Sequence, residues 1–246
     1  MRVTEKRIVV VTGASRGIGY EAALALGRAG WHVVAVARTQ GGLEELDDAI
    51  RDAGGSASLV PLDLADPARI DELGAALNQR FGRVDALLGN AGLLGGGLAP
   101  VGHIDPRKWD QTFAINVTAN YRLIRSLDPL LRQSEAGRCL FVSSAAAWKG
   151  APFWGLYAAS KAALNALALA YAEEVRNFGI AVNLLNPGPL RTRMRAQAMP
   201  GEDPDTLATP ADLAPHIVSI LEVTDGRSGA LYDFPTLSWK KLQPPQ

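Results

Sequence analysis

The 246-residue sequence contains one cysteine, three histidines and no long apolar run. A single cysteine, Cys139, excludes an internal disulfide bond and favours a reducing compartment, which we expect to be the cytoplasm. Because Cys139 lies inside an apolar run, we interpret it as a core residue and not a nucleophile. No stretch approaches the ~18 apolar residues that a membrane-spanning helix requires. His32, His103 and His216 are scattered without ligand spacing, so we predict no metal site.

The sequence also lacks an excess of either charge. Lys and Arg together number 25, as do Asp and Glu, so the chain has neither the overall basic character typical of nucleic-acid binding nor an acidic tail. Hydrophobic residues make up 48% of the chain, which excludes a disordered protein. The length suits one α/β domain with a sizeable core. A charged start followed by a short apolar run and a glycine turn favours a first strand over a signal peptide.

Predicted strands and helices alternate along the chain. Apolar runs typical of buried strands lie at 7–12, 31–37, 57–62, 84–89, 138–143, 180–185 and 229–233. Segments with helical periodicity separate them, and one long helix is predicted over 109–131. This alternation predicts a single doubly wound α/β Rossmann domain, with a parallel seven-stranded sheet in the order 3-2-1-4-5-6-7 and helices on both faces. We expect the tail, 236–246, to fray or to meet a partner subunit.

A glycine-rich turn follows the first predicted strand. It reads Gly13-Ala14-Ser15-Arg16-Gly17-Ile18-Gly19 and leads into an Ala/Leu-rich helix. Glycines let the backbone approach a pyrophosphate, and a helix N-terminus attracts its negative charge. The spacing G-x-x-x-G-x-G differs from the common dinucleotide fingerprint, and tight packing is the alternative interpretation. The second predicted strand ends in Ala37-Arg38-Thr39, where many dinucleotide sites carry an acid for the ribose hydroxyl.

Tyr157 and Lys161 lie four residues apart in a run with strong helical periodicity, which places both side chains on one helix face. A nearby ammonium favours the phenolate, so we expect it to lower the pKa of the phenol from its ordinary value near ~10. Ser144 follows the fifth predicted strand and is expected at the carboxyl edge of the sheet. The three side chains suit proton transfer to a carbonyl oxygen, although Tyr-x-x-x-Lys alone also occurs as a surface pair.

Other residues allow two interpretations each. Asn116 lies inside the predicted helix 109–131, where asparagine is disfavoured, and it either marks a kink or faces solvent. Asp63 is either a turn residue or a contact to an adenine edge. The arginines of 190–199 either form a solvated helix face or attract an anionic substrate. Three aromatic residues before Tyr157 are core residues, dimer contacts or a substrate wall. These aromatic residues are Trp148, Phe153 and Trp154.

Together, in this order and at this spacing, the motifs resemble the short-chain dehydrogenase/reductase family over nearly the full length. The matching elements are Thr12-Gly13-x-x-x-Gly17-x-Gly19, Asp63, Asn90-Ala91-Gly92, Asn116, Ser144, Tyr157-x-x-x-Lys161 and Pro187-Gly188 with Thr192. Gly89 stands where the family often has an additional Asn before Asn90. Within the family, the stretches NAGLLG, WGLYAASK, NPGPLRTRMRA and EDPDTLATPAD resemble the YciK-type bacterial branch.

The resemblance implies an oxidoreductase of carbonyl reductase type, in which residues 1–92 mainly bind the cofactor and residues 93–235 mainly serve catalysis and the substrate. It implies that Tyr157 is the general acid or base, that Ser144 binds the carbonyl oxygen and that Lys161 binds the nicotinamide ribose. It also implies that Asn116 holds a helix kink and a water linked to Lys161. The implied cofactor contacts are Gly13, Ser15, Arg16, Gly17, Ile18, Gly19, Arg38, Thr39, Asp63, Leu64, Asn90, Ala91, Gly92, Tyr157, Lys161, Pro187, Gly188, Leu190 and Thr192.

The second predicted strand favours NADP(H) over NAD. Guanidinium groups of Arg16 and Arg38 could form charge-assisted hydrogen bonds with a 2′-phosphate, and the alternative is that both are solvated surface charges. The resemblance further implies a small carbonyl or alcohol substrate and a homodimer or homotetramer, with no nucleic-acid or membrane partner. The alternative function is a non-catalytic NADP-binding redox sensor or partner protein. A pure binder has no need of Tyr157, which favours the enzyme.

Overall fold

The computed structural model describes residues 6–223 and 225–242. The fold is built on one central eight-stranded sheet. Its strands are β1 (Ile8–Thr12), β2 (His32–Ala37), β3 (Ser56–Pro61), β4 (Ala86–Gly89), β5 (Arg138–Val142), β6 (Ala181–Asn186), β7 (Ala230–Asp233) and β8 (Ser238–Lys241). The strand order is 3-2-1-4-5-6-7-8, and β8 alone among these strands is antiparallel to its neighbour. The predicted order of the first seven strands is confirmed, while the predicted total of seven is one too few for the described residues.

Helices cover both faces of this sheet. They are α1 (Gly17–Arg28), α2 (Gln40–Asp52), α3 (Pro67–Phe81), α4 (Pro106–Phe113), α5 (Ala119–Leu131), α6 (Gly155–Glu174), α7 (Arg193–Ala198) and α8 (Pro210–Glu222). Successive strand residues point to opposite faces, so Val10 and Leu87 pack in the apolar cluster beside α3, α5 and α6. Val9 and Leu88 pack in the cluster beside α1, α2 and α8. Among the described helices, none has the length and apolar character that crossing a membrane requires.

The helix predicted over 109–131 contains an irregular turn. Residues Ala114–Thr118 form a π-helical turn between α4 and α5, and Asn116 within it is fully buried. The Asn116 side chain pairs with the backbone of Leu93, accepting from its N–H at 2.7 Å and donating to its carbonyl at 2.9 Å. Asn116 therefore marks an irregular turn and does not face solvent. π-Helical turns of this kind are frequent at functional sites.

Part of the predicted tail is a strand. Trp239 of β8 packs on Tyr232 of β7, with ring centroids 5.2 Å apart, and the Arg227 guanidinium lies 4.4 Å from the centre of the Trp239 ring. The expectation that this segment frays is therefore wrong for 238–241, because pairing with β7 orders it, whereas contact with a partner subunit stays a prediction. The Pro-Pro-Gln end lies outside the described residues.

Hydrogen bonds tie the carboxyl end of β1 to that of β4. The Thr12 hydroxyl accepts hydrogen bonds from the N–H groups of Asn90 and Ala91 at 3.0 and 3.1 Å. The Asn90 side-chain amide donates to the Thr12 carbonyl at 2.8 Å. The glycine turn after β1 is thereby held beside the segment after β4, at the point in open α/β folds where ligands bind.

Candidate active site

The predicted catalytic side chains meet at the carboxyl edge of the sheet. Ser144 follows β5 and caps a short 3-10 turn, where its hydroxyl accepts a hydrogen bond from the Ala146 N–H at 3.2 Å. The Tyr157 phenol, in the first turn of α6, lies near the same hydroxyl, which acts on the phenol pKa as a hydrogen-bond donor. Lys161 follows one turn later, with its Nζ 5.7 Å from the centre of the Tyr157 ring. The structure thus brings together Ser144, Tyr157 and Lys161, which the sequence analysis identified as candidates for proton transfer.

Lys161 is almost completely buried and donates a hydrogen bond to the Val142 carbonyl, at the end of β5, over 2.7 Å. Gly92 lies against it, since a Cβ added at Gly92 would be 3.5 Å from Lys161 Nζ and 3.4 Å from Asn116 Oδ1. A side chain at this position would fill the space beside the ammonium group. Gly92 therefore packs directly beside Lys161 and the π-helical turn.

A chain of hydrogen bonds joins Asn116 to the start of α6. The Asn116 amide donates to the Ser160 hydroxyl at 2.9 Å, and Ser160 donates to the Tyr157 carbonyl at 2.8 Å. The Asn116 carbonyl also accepts a hydrogen bond from the Asn120 side chain at 2.9 Å. Ser160 and Asn120 were not identified from the sequence. The four-residue spacing of Asn116 and Asn120 in a predicted helix is a signal that could have identified Asn120, whereas no spacing connects Ser160 to Asn116.

Burial dominates the electrostatics of the candidate site. It raises the pKa of Tyr157 to about 12, and the hydrogen bond with Ser144 opposes this shift. Burial also lowers the pKa of Lys161 to about 8. The expectation that Lys161 brings the phenol pKa below its ordinary value is therefore wrong for this arrangement, in which the ammonium donates to a carbonyl. At neutral pH the phenol carries its proton, which is the form that can donate it.

The glycine turn forms a close cradle. Gly13 and Gly17 have φ of +67° and +58°, in the left-handed region that favours glycine. A Cβ added at Gly19 would lie 2.6 Å from the Asn90 side-chain nitrogen and 2.8 Å from the Gly13 carbonyl carbon, so no larger residue fits there. Arg16 is the N-cap of α1, and no described side chain caps the helix. Uncapped N–H groups beside a narrow backbone turn fit a phosphate group.

Arg16 and Arg38 are exposed, and neither side chain forms a hydrogen bond or ion pair with a residue that the structure describes. Thr39 is the N-cap of α2, but its hydroxyl makes no capping hydrogen bond. The start of α2 packs on the glycine turn, because a Cβ at Gly42 would lie 2.9 Å from the Ser15 carbonyl oxygen. The guanidiniums of Arg16 and Arg38 thus pair with no described residue, and the first N–H groups of α2 are uncapped beside the glycine turn. These donors fit a second phosphate group.

The residues predicted to contact the adenosine part of the cofactor follow strands β3 and β4. Asp63 Oδ1 accepts a hydrogen bond from the Ala65 N–H at 3.0 Å, as in a turn, while Asp63 Oδ2 bonds no described residue, and Leu64 is buried. The Asn90 side chain is directed to the Thr12 carbonyl, so the amide serves the sheet. Ala91 likewise donates its N–H to Thr12.

The segment after β6 lies opposite the glycine turn. A Cβ added at Gly17 would be 4.0 Å from Thr192 Cγ2, and Gly188 has φ of +66°. Leu190 forms a parallel bridge with Ala208. In this segment, helix α7 begins at Arg193, because Thr192 is its N-cap. The glycine turn and the segment after β6 thus face each other across the crevice at the carboxyl edge of the sheet. Ile18 is in the first turn of α1, and Pro187 directly follows β6.

Ion pairs within the chain hold α7 and the segment after it. Arg195 forms a two-pronged pair with Glu202, at 2.5 and 2.6 Å, and Arg191 lies 3.1 Å from Asp205. Arg191 and Arg195 therefore form ion pairs within 191–205. Arg193 is exposed and forms no ion pair with a described residue.

A pocket of about 200 Å³ opens beside Tyr157. Its walls are mainly apolar, and the more polar residues His103, Asp105 and Lys108 also line it. The apolar contribution comes from Leu94, Leu98, Phe153, Trp154 and Leu156, with Gly95, Gly96 and Gly97 completing the loop. Phe153 and Trp154 thus line the pocket as the sequence suggested, whereas Trp148 does not contribute to it. Ala198 and Met194 of α7 pack with Leu94 and Tyr157 in one apolar cluster.

Two histidines serve other parts of the fold. His32 hydrogen-bonds Ser56 and Ser58 of β3, and His216 hydrogen-bonds the Tyr232 hydroxyl at 2.8 Å. Within the residues that the structure describes, no three His, Cys, Asp or Glu side chains are grouped so as to hold a metal ion.

Comparison with known proteins agrees with this geometry. A sequence model described as short chain dehydrogenase matches residues 7–203. The chain is 38% identical over 212 residues to the uncharacterized oxidoreductase YciK of Escherichia coli strain K12, covering 85% of this chain and 83% of that protein. A short chain dehydrogenase from Shigella flexneri 2a strain 301, complexed with NADP, has a TM-score of 0.88, 37% identity and coverage of 92% and 96%. One from Escherichia coli CFT073, complexed with NADPH, has a TM-score of 0.88, 37% identity and coverage of 92% and 95%.

The resemblance predicted from the sequence is confirmed. The matched segment covers most of the chain and includes the glycine turn, Ser144, Tyr157, Lys161 and Thr192. The protein belongs to the short chain dehydrogenase family of oxidoreductases.

Proposed function

We propose that this protein is a cytoplasmic NADPH-dependent reductase of ketones or aldehydes, able to oxidise the corresponding alcohols in reverse. The observation that carries the proposal is the buried Tyr157 phenol, near the Ser144 hydroxyl and one helical turn from Lys161, at the same sheet edge as the glycine turn. When bound, a reduced nicotinamide would supply the hydride. Every other requirement of the reaction falls on side chains of this chain.

Tyr157 supplies the proton. As the carbonyl carbon accepts hydride, negative charge develops on the carbonyl oxygen, and the phenol donates its proton to that oxygen. Ser144 donates a hydrogen bond to the same oxygen and stabilises the charge before the proton arrives. The phenolate that remains regains a proton from solvent, so the overall step consumes one hydride and one proton. In alcohol oxidation the phenolate is the base, and the Ser144 hydroxyl, as a hydrogen-bond donor, favours that form.

The cofactor would be held along the crevice. The Gly13–Gly19 turn would take the pyrophosphate, and Arg16, Arg38 and Thr39 the 2′-phosphate. The backbone around Leu64 and 90–92, with Asp63, would take the adenosine side. Lys161 and the segment 187–192 would hold the nicotinamide end. Two relatives of similar fold contain NADP or NADPH, which supports this choice over NAD.

The pocket supports a compact and largely apolar substrate. About 200 Å³ beside the phenol accommodates a small carbonyl compound, and Leu94 and Trp154 provide apolar contact. A panel of aliphatic and aryl ketones, aldehydes and diketones, followed by the loss of reduced-nicotinamide absorbance, tests this proposal. NADPH binding without turnover on any of them would favour the non-catalytic sensor.

Tyr157→Phe should leave the fold and NADPH affinity intact and lower turnover by at least ~10²-fold, the scale of a lost general acid. Steady-state kinetics on the best substrate of the panel measures the loss, and circular dichroism with a binding titration controls for the fold. Retained wild-type turnover would contradict the assignment of Tyr157.

Arg38→Asp should raise the Michaelis constant for NADPH by about ten- to a hundredfold, because each charge-assisted hydrogen bond to the 2′-phosphate contributes roughly 1.5–3 kcal/mol. The Michaelis constant for NADH should change little or fall, since NADH has no phosphate there. The matched control is Arg28→Asp, which reverses an exposed charge at the far end of α1. An unchanged cofactor preference in Arg38→Asp, or a wild type that prefers NADH, would show that Arg38 does not select the cofactor.

A homodimer or homotetramer is the expected assembly. Trp109 and Tyr121 are 38% and 47% exposed on α4 and α5, and Trp109 stacks on Phe113 with ring centroids 4.8 Å apart. We infer that a second copy of the chain covers these exposed aromatic side chains, which lie on two helices joined by the π-helical turn. Light scattering at micromolar concentration should therefore report twice or four times the 26.1 kDa chain mass, whereas a monomer at that concentration would refute the assembly.

A further inference from the structure

Asn186 joins the far edge of the sheet to the candidate active site. It is the last residue of β6 and is 4% exposed. Its Oδ1 accepts hydrogen bonds from the Ala145 N–H at 3.0 Å and the Gly188 N–H at 3.3 Å. Ala145 directly follows Ser144, and Gly188 lies in the segment opposite the glycine turn. One side-chain oxygen therefore connects the two loops that carry the carbonyl-binding hydroxyl and the nicotinamide end of the crevice.

The orientation of this amide is fixed from behind by a carboxylate. Asn186 Nδ2 donates to Asp233 Oδ1 at 2.6 Å, and Asp233 ends the neighbouring strand β7. An ionised carboxylate accepts hydrogen bonds and donates none, so the NH₂ group must face Asp233. The amide oxygen is then directed to the two backbone N–H groups. With the amide flipped, the Asn186 oxygen would face the Asp233 carboxylate, and the NH₂ group would face the N–H groups of Ala145 and Gly188.

Asp233 is in turn held by the edge strand. Its other oxygen accepts from Lys240 of β8 at 2.5 Å and from the Thr236 hydroxyl at 2.6 Å. Burial alone would raise the pKa of Asp233, but the hydrogen bonds from Lys240, Thr236 and Asn186 outweigh burial and hold that pKa below its ordinary value. The carboxylate therefore remains ionised at neutral pH. It has a donor on each oxygen, which leaves it no alternative arrangement.

The turn between β7 and β8 also touches the same loop. Pro235 lies against Gly188, and a Cβ added at Gly188 would be 3.2 Å from the Pro235 Cδ and in closer contact with its Cγ. Gly188 has positive φ, so both its backbone conformation and its neighbour require glycine. The edge of the sheet thus constrains this loop through packing as well as through hydrogen bonds.

We propose that Lys240, Asp233 and Asn186 form a positioning relay, through which β8 sets the placement of Ser144 and of the Pro187–Gly188 turn. The proposal rests on the proposed function for its catalytic consequence. None of the three residues touches the reacting atoms. Their effect is geometric, because a displacement of about 1 Å at reacting groups can cost up to ~10²-fold in rate.

The first test is an exchange of the two side chains. Asn186→Asp places two carboxylates face to face in a buried site and should lower kcat by at least ~10-fold, while the dissociation constant for NADPH changes by less than ~3-fold. Adding Asp233→Asn restores a donor facing an acceptor at every contact. The double variant should therefore regain kcat to within ~3-fold of wild type. No recovery in a folded double variant would overturn the relay.

Lys240→Met provides a variant that cannot disrupt the core, because the Lys240 side chain is about half exposed at 47%. It should lower kcat several-fold and accelerate amide hydrogen exchange in peptides that contain Ala145 and Gly188, measured without added cofactor. The matched control is Tyr171→Phe, which removes a hydrogen bond of 2.9 Å to Asp128 far from the relay. It should lower the melting temperature and leave kcat and exchange in those peptides unchanged.

The outcomes separate the relay from the proposed function. Faster exchange around Ala145 and Gly188 in Lys240→Met, but not in Tyr171→Phe, supports the relay even if the wild type reduces no carbonyl in the panel. A wild type without activity would contradict the proposed function alone. An active wild type, with exchange and kcat unchanged in Lys240→Met, would overturn the relay and leave the proposed function standing.

Discussion

The burial of the Tyr157 phenol is the constraint on which the candidate site depends. Removing a phenolate from water is costly, so the protein keeps this side chain protonated at neutral pH, with its pKa raised to about 12. The hydrogen bond with Ser144 opposes that shift. Lys161 lies one helical turn away, and burial lowers the pKa of its ammonium group. A proton donor is therefore available for reduction, and charged or hydrogen-bonding groups stand beside it for the reverse reaction.

The sheet explains why these groups lie close together. Its parallel strands end at one edge, so residues distant in the chain meet there: the glycine turn after β1, Gly92 after β4, Ser144 after β5 and the turn after β6. Buried polar residues hold these ends in register, with Thr12 joining β1 to β4 and Asn186 joining the loops after β5 and β6. Apolar strand interiors supply the stability, and a few fully hydrogen-bonded polar residues set the geometry at the edge.

Much of this was predictable from the sequence, for identifiable reasons. Continuous apolar runs mark strands that are buried on both faces, and the four-residue spacing alone placed Lys161 beside Tyr157. By contrast, β8 is short and polar, and its order depends on partners such as Asp233 and Tyr232 that only the folded chain supplies. The prediction that the pKa of the Tyr157 phenol is lowered was wrong for the same reason. Spacing reveals a nearby charge, but the extent of desolvation is a property of the tertiary structure.

The pH dependence of both reaction directions tests the central claim most directly. With Tyr157 as acid and base, kcat/KM for reduction should be level at neutral pH and fall in alkaline solution, while kcat/KM for alcohol oxidation rises over the same range. Because the Ser144 hydrogen bond lowers the phenol pKa, Ser144→Ala should move both limbs to higher pH. A reduction rate that rises with alkaline pH, or limbs that do not move in Ser144→Ala, would contradict the account.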